Sequence, residues 1–281
     1  AVVLVNRESI TKIPYSNLED VFVWKSQIIP RDYLGESTSN EGHFFQFILN
    51  VAGGNQERFD NMRSAIGYLL HNYSKPSMGQ AVILYDEKIT DVDAPQGGTG
   101  KGLLANAIGK VRQVVKIDGK QMDPSHRFAF QMVLPTTQVI WIDDVSSKFD
   151  LSFLFSQLTD GLTVEKKNQP SFLIPPNRSP KILICSNTIL ESEGTSHKRR
   201  QMIVELNDHY SSKIKKGNEE PIIEEHGCVF FDDEDWNQNE WDRFYSFMID
   251  CLRYYLKNGL SSSEPINLAE NRLIQKTGSD F

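Results

Sequence analysis

The feature that most constrains this chain is a glycine-rich loop at residues 94–102, Ala94-Pro95-Gln96-Gly97-Gly98-Thr99-Gly100-Lys101-Gly102, set between two strongly patterned segments. Before it, Ala81-Val82-Ile83-Leu84-Tyr85 is apolar and rich in β-branched and aromatic residues, which predicts a buried strand. After it, Leu103, Leu104, Ala107, Ile108 and Val111 fall on one face of a helical pattern. A strand that turns through glycines into a helix, with a lysine at the junction, is suited to hold phosphate. Glycines let backbone N–H groups converge on an anion, the helix N-terminus adds its positive end, and the lysine reaches the outer phosphates. The phosphates of a nucleotide are the expected ligand, held by Gly97, Gly98, Thr99, Gly100, Lys101 and Gly102. The match to the usual phosphate-loop pattern fails at both ends. Pro95 replaces the first glycine, and Gly102 stands where a Ser or Thr hydroxyl would bind Mg²⁺. Taken alone, the loop is equally compatible with an ordinary turn, because glycine and proline punctuate loops of every kind.

Length and composition narrow the classes. A chain of 281 residues accommodates one large or two modest domains, and 39% hydrophobic with 24% charged residues suits a globular protein. No apolar run approaches the roughly 18 residues that cross a bilayer. The first residues lack the basic and apolar blocks of a signal peptide. Cys185, Cys228 and Cys251 lie far apart and form no C-x-x-C pair, which argues against a disulfide scaffold or a zinc ribbon. A cytoplasmic location with no membrane partner is expected. The net charge of −7 is not that of a protein coated for nucleic acid, so any DNA contact must be concentrated in a pore or a loop.

Along the chain, residues 1 to about 40 are poorly patterned; residues 18–29 could hold a strand or short helix, and 31–41 read as a polar loop. Helices are expected at 43–51 and 57–72, the second with Phe59, Met62, Ile66, Leu69 and Leu70 at helical spacing. Past the loop-and-helix unit, Val114-Val115-Lys116-Ile117 reads as a strand and 126–132 as a helix or turn. Val139-Ile140-Trp141-Ile142-Asp143-Asp144 is a buried strand ending in two carboxylates, which is costly unless the carboxylates are paired or bind metal. Beside a phosphate loop, Mg²⁺ and water explain them; the alternative is an aspartate that caps the next helix. Asp150 can cap a helix at 151–158 that Gly161 ends. Two short strands, 162–165 and 171–174, flank the basic turn Lys166-Lys167-Asn168-Gln169-Pro170. Ile182-Leu183-Ile184-Cys185 is another buried strand and ends in Ser186-Asn187. His197-Lys198-Arg199-Arg200 precedes a strand at 201–206, residues 210–225 read as polar loop, and 239–256 as an amphipathic helix stopped by Gly259.

Phosphate loop, Asp-Asp strand, basic hairpin, strand ending in asparagine and arginine pair, in this order, resemble the superfamily 3 helicases, AAA+ ATPases of viruses, phages and mobile elements. The likeness is nearest to the helicase part of phage and plasmid primase-helicases. It is carried by residues 139–145, by Thr159-Asp160-Gly161-Leu162-Thr163-Val164-Glu165-Lys166-Lys167, and by Ser179-Pro180-Lys181-Ile182-Leu183-Ile184-Cys185-Ser186-Asn187, and it covers residues 45–270. The resemblance implies an α/β fold, a P-loop AAA+ ATPase core with a central parallel sheet flanked by helical segments. Residues 1–78 would form an N-terminal segment with a helical subdomain, 79–210 the nucleotide-binding core, and 211–281 a C-terminal helical segment. In that sheet the asparagine strand lies between the phosphate-loop strand and the Asp-Asp strand.

The resemblance also implies roles. Lys101 would hold the β- and γ-phosphates, Asp143 would hold Mg²⁺, Asp144 would act as base for the attacking water, and Asn187 would sense the γ-phosphate. Arg200, or else Arg199, would be an arginine finger reaching the neighbouring subunit, typically worth ~10³–10⁵ in rate. Lys166 and Lys167 would grip DNA phosphates in a ring channel. Each has a plainer alternative: a solvated turn for the lysines, surface charge for the arginines, a mere strand end for Asn187. The expected function is an ATP-dependent DNA helicase or translocase of a mobile-element replication protein. Its partners would be single-stranded or forked DNA, further copies in a ring such as a hexamer, and a primase domain or other replication proteins. The rivals are a nucleotide-dependent DNA-binding scaffold with little turnover and a P-loop small-molecule kinase. With no primase-like segment and no winged-helix pattern, the chain is expected to be a fragment of a longer protein.

Overall fold

The computed structural model describes residues 1–281 apart from 20–21, 75–78, 89–97, 124–125, 148, 191–197, 215–216, 218–219, 266 and 278–281. Val2–Val5 (β1) and Ile10–Ile13 (β2) pair as an antiparallel hairpin. The segment that follows is held down from a distance. The carboxylate of Asp242 accepts from the backbone N–H groups of Leu34, Gly35, Glu36 and Ser37 at 2.7–3.1 Å. Burial raises the pKa of this carboxyl, but the N–H donors outweigh that effect and hold it below its ordinary value.

Two helices come next, α1 (His43–Val51) and α2 (Gln56–Leu70), the second capped by Asn55, whose side chain accepts from Arg58 N at 3.1 Å. The apolar run expected to be a strand is β3 (Ala81–Asp86). It is followed by α3 (Lys101–Gly109), β4 (Val114–Asp118) and β5 (Val139–Val145). Residues 126–132 form turns rather than a helix. Asp150 accepts from Ser152 N at 2.8 Å and starts a 3₁₀ turn that runs into α4 (Phe155–Thr159). A hairpin of β6 (Leu162–Lys166) and β7 (Gln169–Ile174) precedes β8 (Lys181–Ser186) and β9 (Gln201–Leu206).

Residues 210–225, read from sequence as loop, contain two short helical pieces, α5 (Ser211–Ile214) and α6 (Pro221–His226). Proline at the first turn and Gly227 in a left-handed conformation at the end define the second. Local polarity hid them, because neither is long enough to show a helical period. α7 (Gln238–Asn258) and α8 (Leu268–Thr277) complete the described chain. Among the described residues no helix is long and apolar enough to cross a membrane.

The central sheet is parallel throughout, in the order β4–β5–β8–β3–β9. The asparagine-ending strand β8 therefore lies between the phosphate-loop strand and the Asp-Asp strand, as the resemblance implied. The three inner strands β3, β5 and β8 read as largely apolar runs because both of their faces are covered, whereas the edge strand β4 is partly exposed. Val82, Leu84, Trp141, Leu183 and Val204 pack with α1, α2, α3 and α7. Ala81, Ile83, Ile140, Ile142 and Ile184 pack on the opposite face, with Leu158, the hairpin residues Leu162, Val164 and Ile174, and Phe130. This is an α/β arrangement, a parallel sheet between helical segments.

Candidate nucleotide site

Parallel strands place every carboxyl end on one edge of the sheet, and open α/β sheets bind ligands outside that edge. Here β5, β8 and β3 are adjacent, and beyond their ends lies a cavity of about 470 Å³. Gly98, Thr99, Gly100, Lys101 and Gly102 line one side, and Asp143, Asp144 and Asn187 another. Gly97 lies outside the described residues.

The loop's entry into α3 depends on glycine. Gly98 and Gly100 have φ of 97° and 104°, a region that L side chains rarely adopt. A Cβ on Gly100 would come within 2.6 Å of the Phe47 ring, so the loop sits directly on α1. Gly102 differs: it lies in the first turn of α3, and a Cβ there would meet nothing within 4 Å. Lys101 is buried, 8% exposed, and its ammonium is paired with Asp86 at the end of β3.

Asp143 and Asp144 share the cavity because β5 is distorted where they occur. In a regular strand successive side chains point to opposite faces. Asp144 instead adopts φ 57°, and the β5–β8 register shifts between Ile142 and Val145. Aspartate is among the non-glycine residues that tolerate this left-handed region, and such distortions re-aim side chains at functional sites. Each carboxylate has a lysine: Lys116 Nζ lies 2.7 Å from Asp143 Oδ2, and Lys120 Nζ lies 2.5 Å from Asp144 Oδ2. The turn carrying Lys120 is fixed by Gly119 N, which donates to Asp143 O at 2.6 Å. Asn187 Nδ2 donates to Asp144 Oδ1 at 3.1 Å. Cys185 also faces the cavity, and burial pushes its thiol up to about 12, so it is neutral and no nucleophile.

The remaining wall comes from the α5–α6 segment, through Ile214, Glu220, Pro221 and Ile222. This wall is pinned to α1. Glu225 accepts from Asn50 Nδ2 at 2.7 Å and lies 2.8 Å from His209 Nε2 and 2.5 Å from Lys213 Nζ. Tyr210 Oη is 2.9 Å from Asn50 Nδ2 and 2.7 Å from His226 Nε2.

The other site residues expected from sequence lie elsewhere. Arg199 and Arg200 precede β9, beside the amino end of β3, where Ala81 N donates to Arg200 O at 2.8 Å. That is the opposite edge of the sheet from Lys101. The Arg200 guanidinium lies 4.9 Å from the centre of the Phe155 ring. Lys166 and Lys167 are at the hairpin tip, away from the cavity. The turn is tighter than the five residues expected: Lys166 pairs with Gln169, the register shifts between Val164 and Lys166, and Asn168 takes φ 58°.

Sequence reasoning missed Asp86, Lys116, Lys120 and the α5–α6 wall. Asp86 carried a usable signal, since it ends a buried strand as Asp143 does. The lysines carried none, because cross-strand register in a parallel sheet is not local information.

The lining can hold phosphate groups. A buried ammonium and the open N-terminus of α3 face a cavity rimmed by two carboxylates, the donor and acceptor set that phosphates and a divalent cation require. Among the described residues no group of three or more His, Cys, Asp or Glu side chains could hold a metal alone. A cation at Asp143 would therefore need phosphate oxygens and water as further ligands.

No protein-family model and no curated protein matches the chain. Solved structures do. The A-form apo structure of the NrS-1 C-terminal region is 15% identical, with a TM-score of 0.51 over 89% of this chain and 55% of that one. A second apo structure of that region gives 16% identity and a TM-score of 0.47, over 84% and 51% of the two chains. JCV helicase, with a thiazolopyridinyl acetamide bound, gives 10% and 0.40, over 82% and 60%. The chain thus spans a little over half the length of the NrS-1 region, and the likeness to that region is one of fold.

Proposed function

We propose that this chain is an ATP-driven motor of the helicase type, which moves on DNA as part of a ring and hydrolyses ATP between subunits. The observation that carries this reading is the meeting of Lys101, Asn187, Asp143 and Asp144 on one cavity, at the carboxyl ends of three adjacent parallel strands. Lys101 and the backbone N–H groups that open α3 bind the outer phosphates. Ile214, Pro221 and Ile222 offer an apolar surface to the base. Asp143 would hold Mg²⁺, with no help from residue 102, and a bound cation would neutralise charge on the phosphate oxygens. Asp144 orients the attacking water and accepts its proton, and Asn187 fixes that carboxylate and senses the γ-phosphate. Lys120 is the exposed counter-ion of Asp144 and can yield to solvent.

Arg200, or Arg199 beside it, serves a neighbouring subunit's site, because in its own subunit it lies at the other edge of the sheet. Lys166 and Lys167 hold DNA phosphates at an exposed tip on a chain whose net charge is −7. Hydrolysis would bias the hairpin between two positions, the kind of population shift that γ-phosphate contacts produce.

ATP turnover measured with and without single-stranded DNA tests the reading. Stimulation by DNA is expected. The absence of a hydroxyl at Gly102 favours a second reading, a nucleotide-dependent DNA-binding scaffold, which predicts binding without turnover. Phosphorylation of a small acceptor would point instead to a kinase.

A further inference from the structure

Lys101 is not waiting with an open ammonium. Both carboxylate oxygens of Asp86 accept from Lys101 Nζ, and Asp86 Oδ1 also accepts from Thr99 Oγ1. Asp86 is itself only 7% exposed. Its backbone is fixed on β9: Asp86 is in register with Leu206, and Glu87 N donates to Leu206 O at 2.8 Å. The carboxylate therefore reaches the loop from a rigid strand end, and it engages the lysine that an outer phosphate at this place would use.

We propose that Asp86 is a resident counter-ion of the phosphate site, which a nucleotide must displace from Lys101 in order to bind; this rests on the nucleotide-binding reading above. A buried ammonium without a partner is costly, so the phosphate-free chain needs an anion there, and Asp86 supplies it. Two anions crowded on one buried lysine repel each other, so the carboxylate and a phosphate compete rather than share. Thr99 Oγ1 remains as a donor to Asp86 after the exchange, so release does not strand the carboxylate. Affinity is thereby held below what the loop's donors could give. The deficit falls on ligands whose outer phosphate meets Lys101, while AMP, which ends short of that position, escapes it.

Asp86→Asn tests the exchange, with ADP, AMP and inorganic pyrophosphate as probes and dissociation constants and melting temperatures as readouts. Removing a charge-assisted competitor is expected to tighten ADP binding by about tenfold and leave AMP binding nearly unchanged. The free variant should melt lower than the parent, and its upward shift with pyrophosphate should be larger. Equal or weaker ADP binding by the variant would overturn the proposal. If Asp86→Asn does not fold alone, it should fold with pyrophosphate present, and Asp86→Ser, which keeps a hydroxyl beside Lys101, carries the same measurement. Failure of both variants to fold even with pyrophosphate would show that Asp86 is needed in both states, and would also overturn the exchange. If neither parent nor variant binds ADP or pyrophosphate, the nucleotide reading itself falls, and the exchange with it.

Discussion

Asn187 Nδ2 donates a 3.1 Å hydrogen bond to Asp144 Oδ1, which ties the residue after β8 to a left-handed aspartate within β5. One bond thus joins the two strand ends on which the proposed hydrolysis depends. It also fixes the orientation of the carboxylate proposed as base, leaving Oδ2 to Lys120.

Asn187→Ala removes a hydrogen bond to a charged group, typically worth about 1.5–3 kcal/mol, and is expected to lower ATP turnover by roughly 10–100-fold. Affinity for ADP should change little, because Lys101 and the α3 N-terminus remain. Asp144→Asn should lower turnover further, by about 10²–10⁴, as loss of a general base does. Steady-state turnover beside ADP binding separates the two effects; a loss of ADP affinity as large as the loss of turnover would contradict the assignment.

Gly102→Ser should fold as the parent does, because a Cβ at that position meets nothing within 4 Å. The added hydroxyl lies in the first turn of α3 and should lower the Mg²⁺ concentration that half-saturates turnover. An unchanged Mg²⁺ dependence in a folded variant would show that residue 102 does not face the metal.

The paired substitution of Lys166 and Lys167 by Ala should remove two phosphate contacts. The slope of log K against log salt for single-stranded DNA should then flatten by about 0.7 per contact. Basal ATP turnover should survive, since the hairpin does not line the cavity, while stimulation by DNA falls. Arg200→Ala should do the reverse, keeping DNA binding and losing turnover. Unwinding by the hairpin variant at the parent's rate would remove the hairpin from the DNA path.

His226 predicts an acid-sensitive wall. Burial pushes its pKa down to about 4; Glu225 opposes this, and His43, His209 and Lys213 add to it. An unfolded histidine titrates near 6.5, so the neutral buried ring contributes its full stability above that pH and loses it as pH falls toward 4. The loss is up to about 1.4 kcal/mol per pH unit within that window. Because His226 shares α6 with Pro221 and Ile222, ADP affinity should fall over the same range. His226→Gln, which can still bond Tyr210 but does not titrate, should flatten the dependence of melting temperature on pH; an unaltered profile would assign the acid sensitivity to another group.

Much of this arrangement was legible in the residues. β3, the glycine loop and α3 follow from an apolar run, glycines and a helical period that are contiguous in the chain. Asp143, Asp144 and Asn187 each end a buried apolar run, and the parallel sheet brings those ends together. What was not legible depends on register and on short elements. Lys116 stands in register with Trp141, and Asp118 with Asp143, which only the β4–β5 pairing decides. The kink at Asp144 is a backbone conformation that residue type permits but does not announce. The cavity wall at α5 and α6 has too few turns for a helical period, and it is held by contacts to Asn50, some 160 residues away in sequence.

The most direct measurement is ATP hydrolysis by the parent and by Lys101→Ala, each with and without single-stranded DNA. The account predicts turnover by the parent that rises when DNA is added, and none by the variant, whose buried phosphate site has lost its ammonium. Hydrolysis by Lys101→Ala at the parent's rate would contradict it.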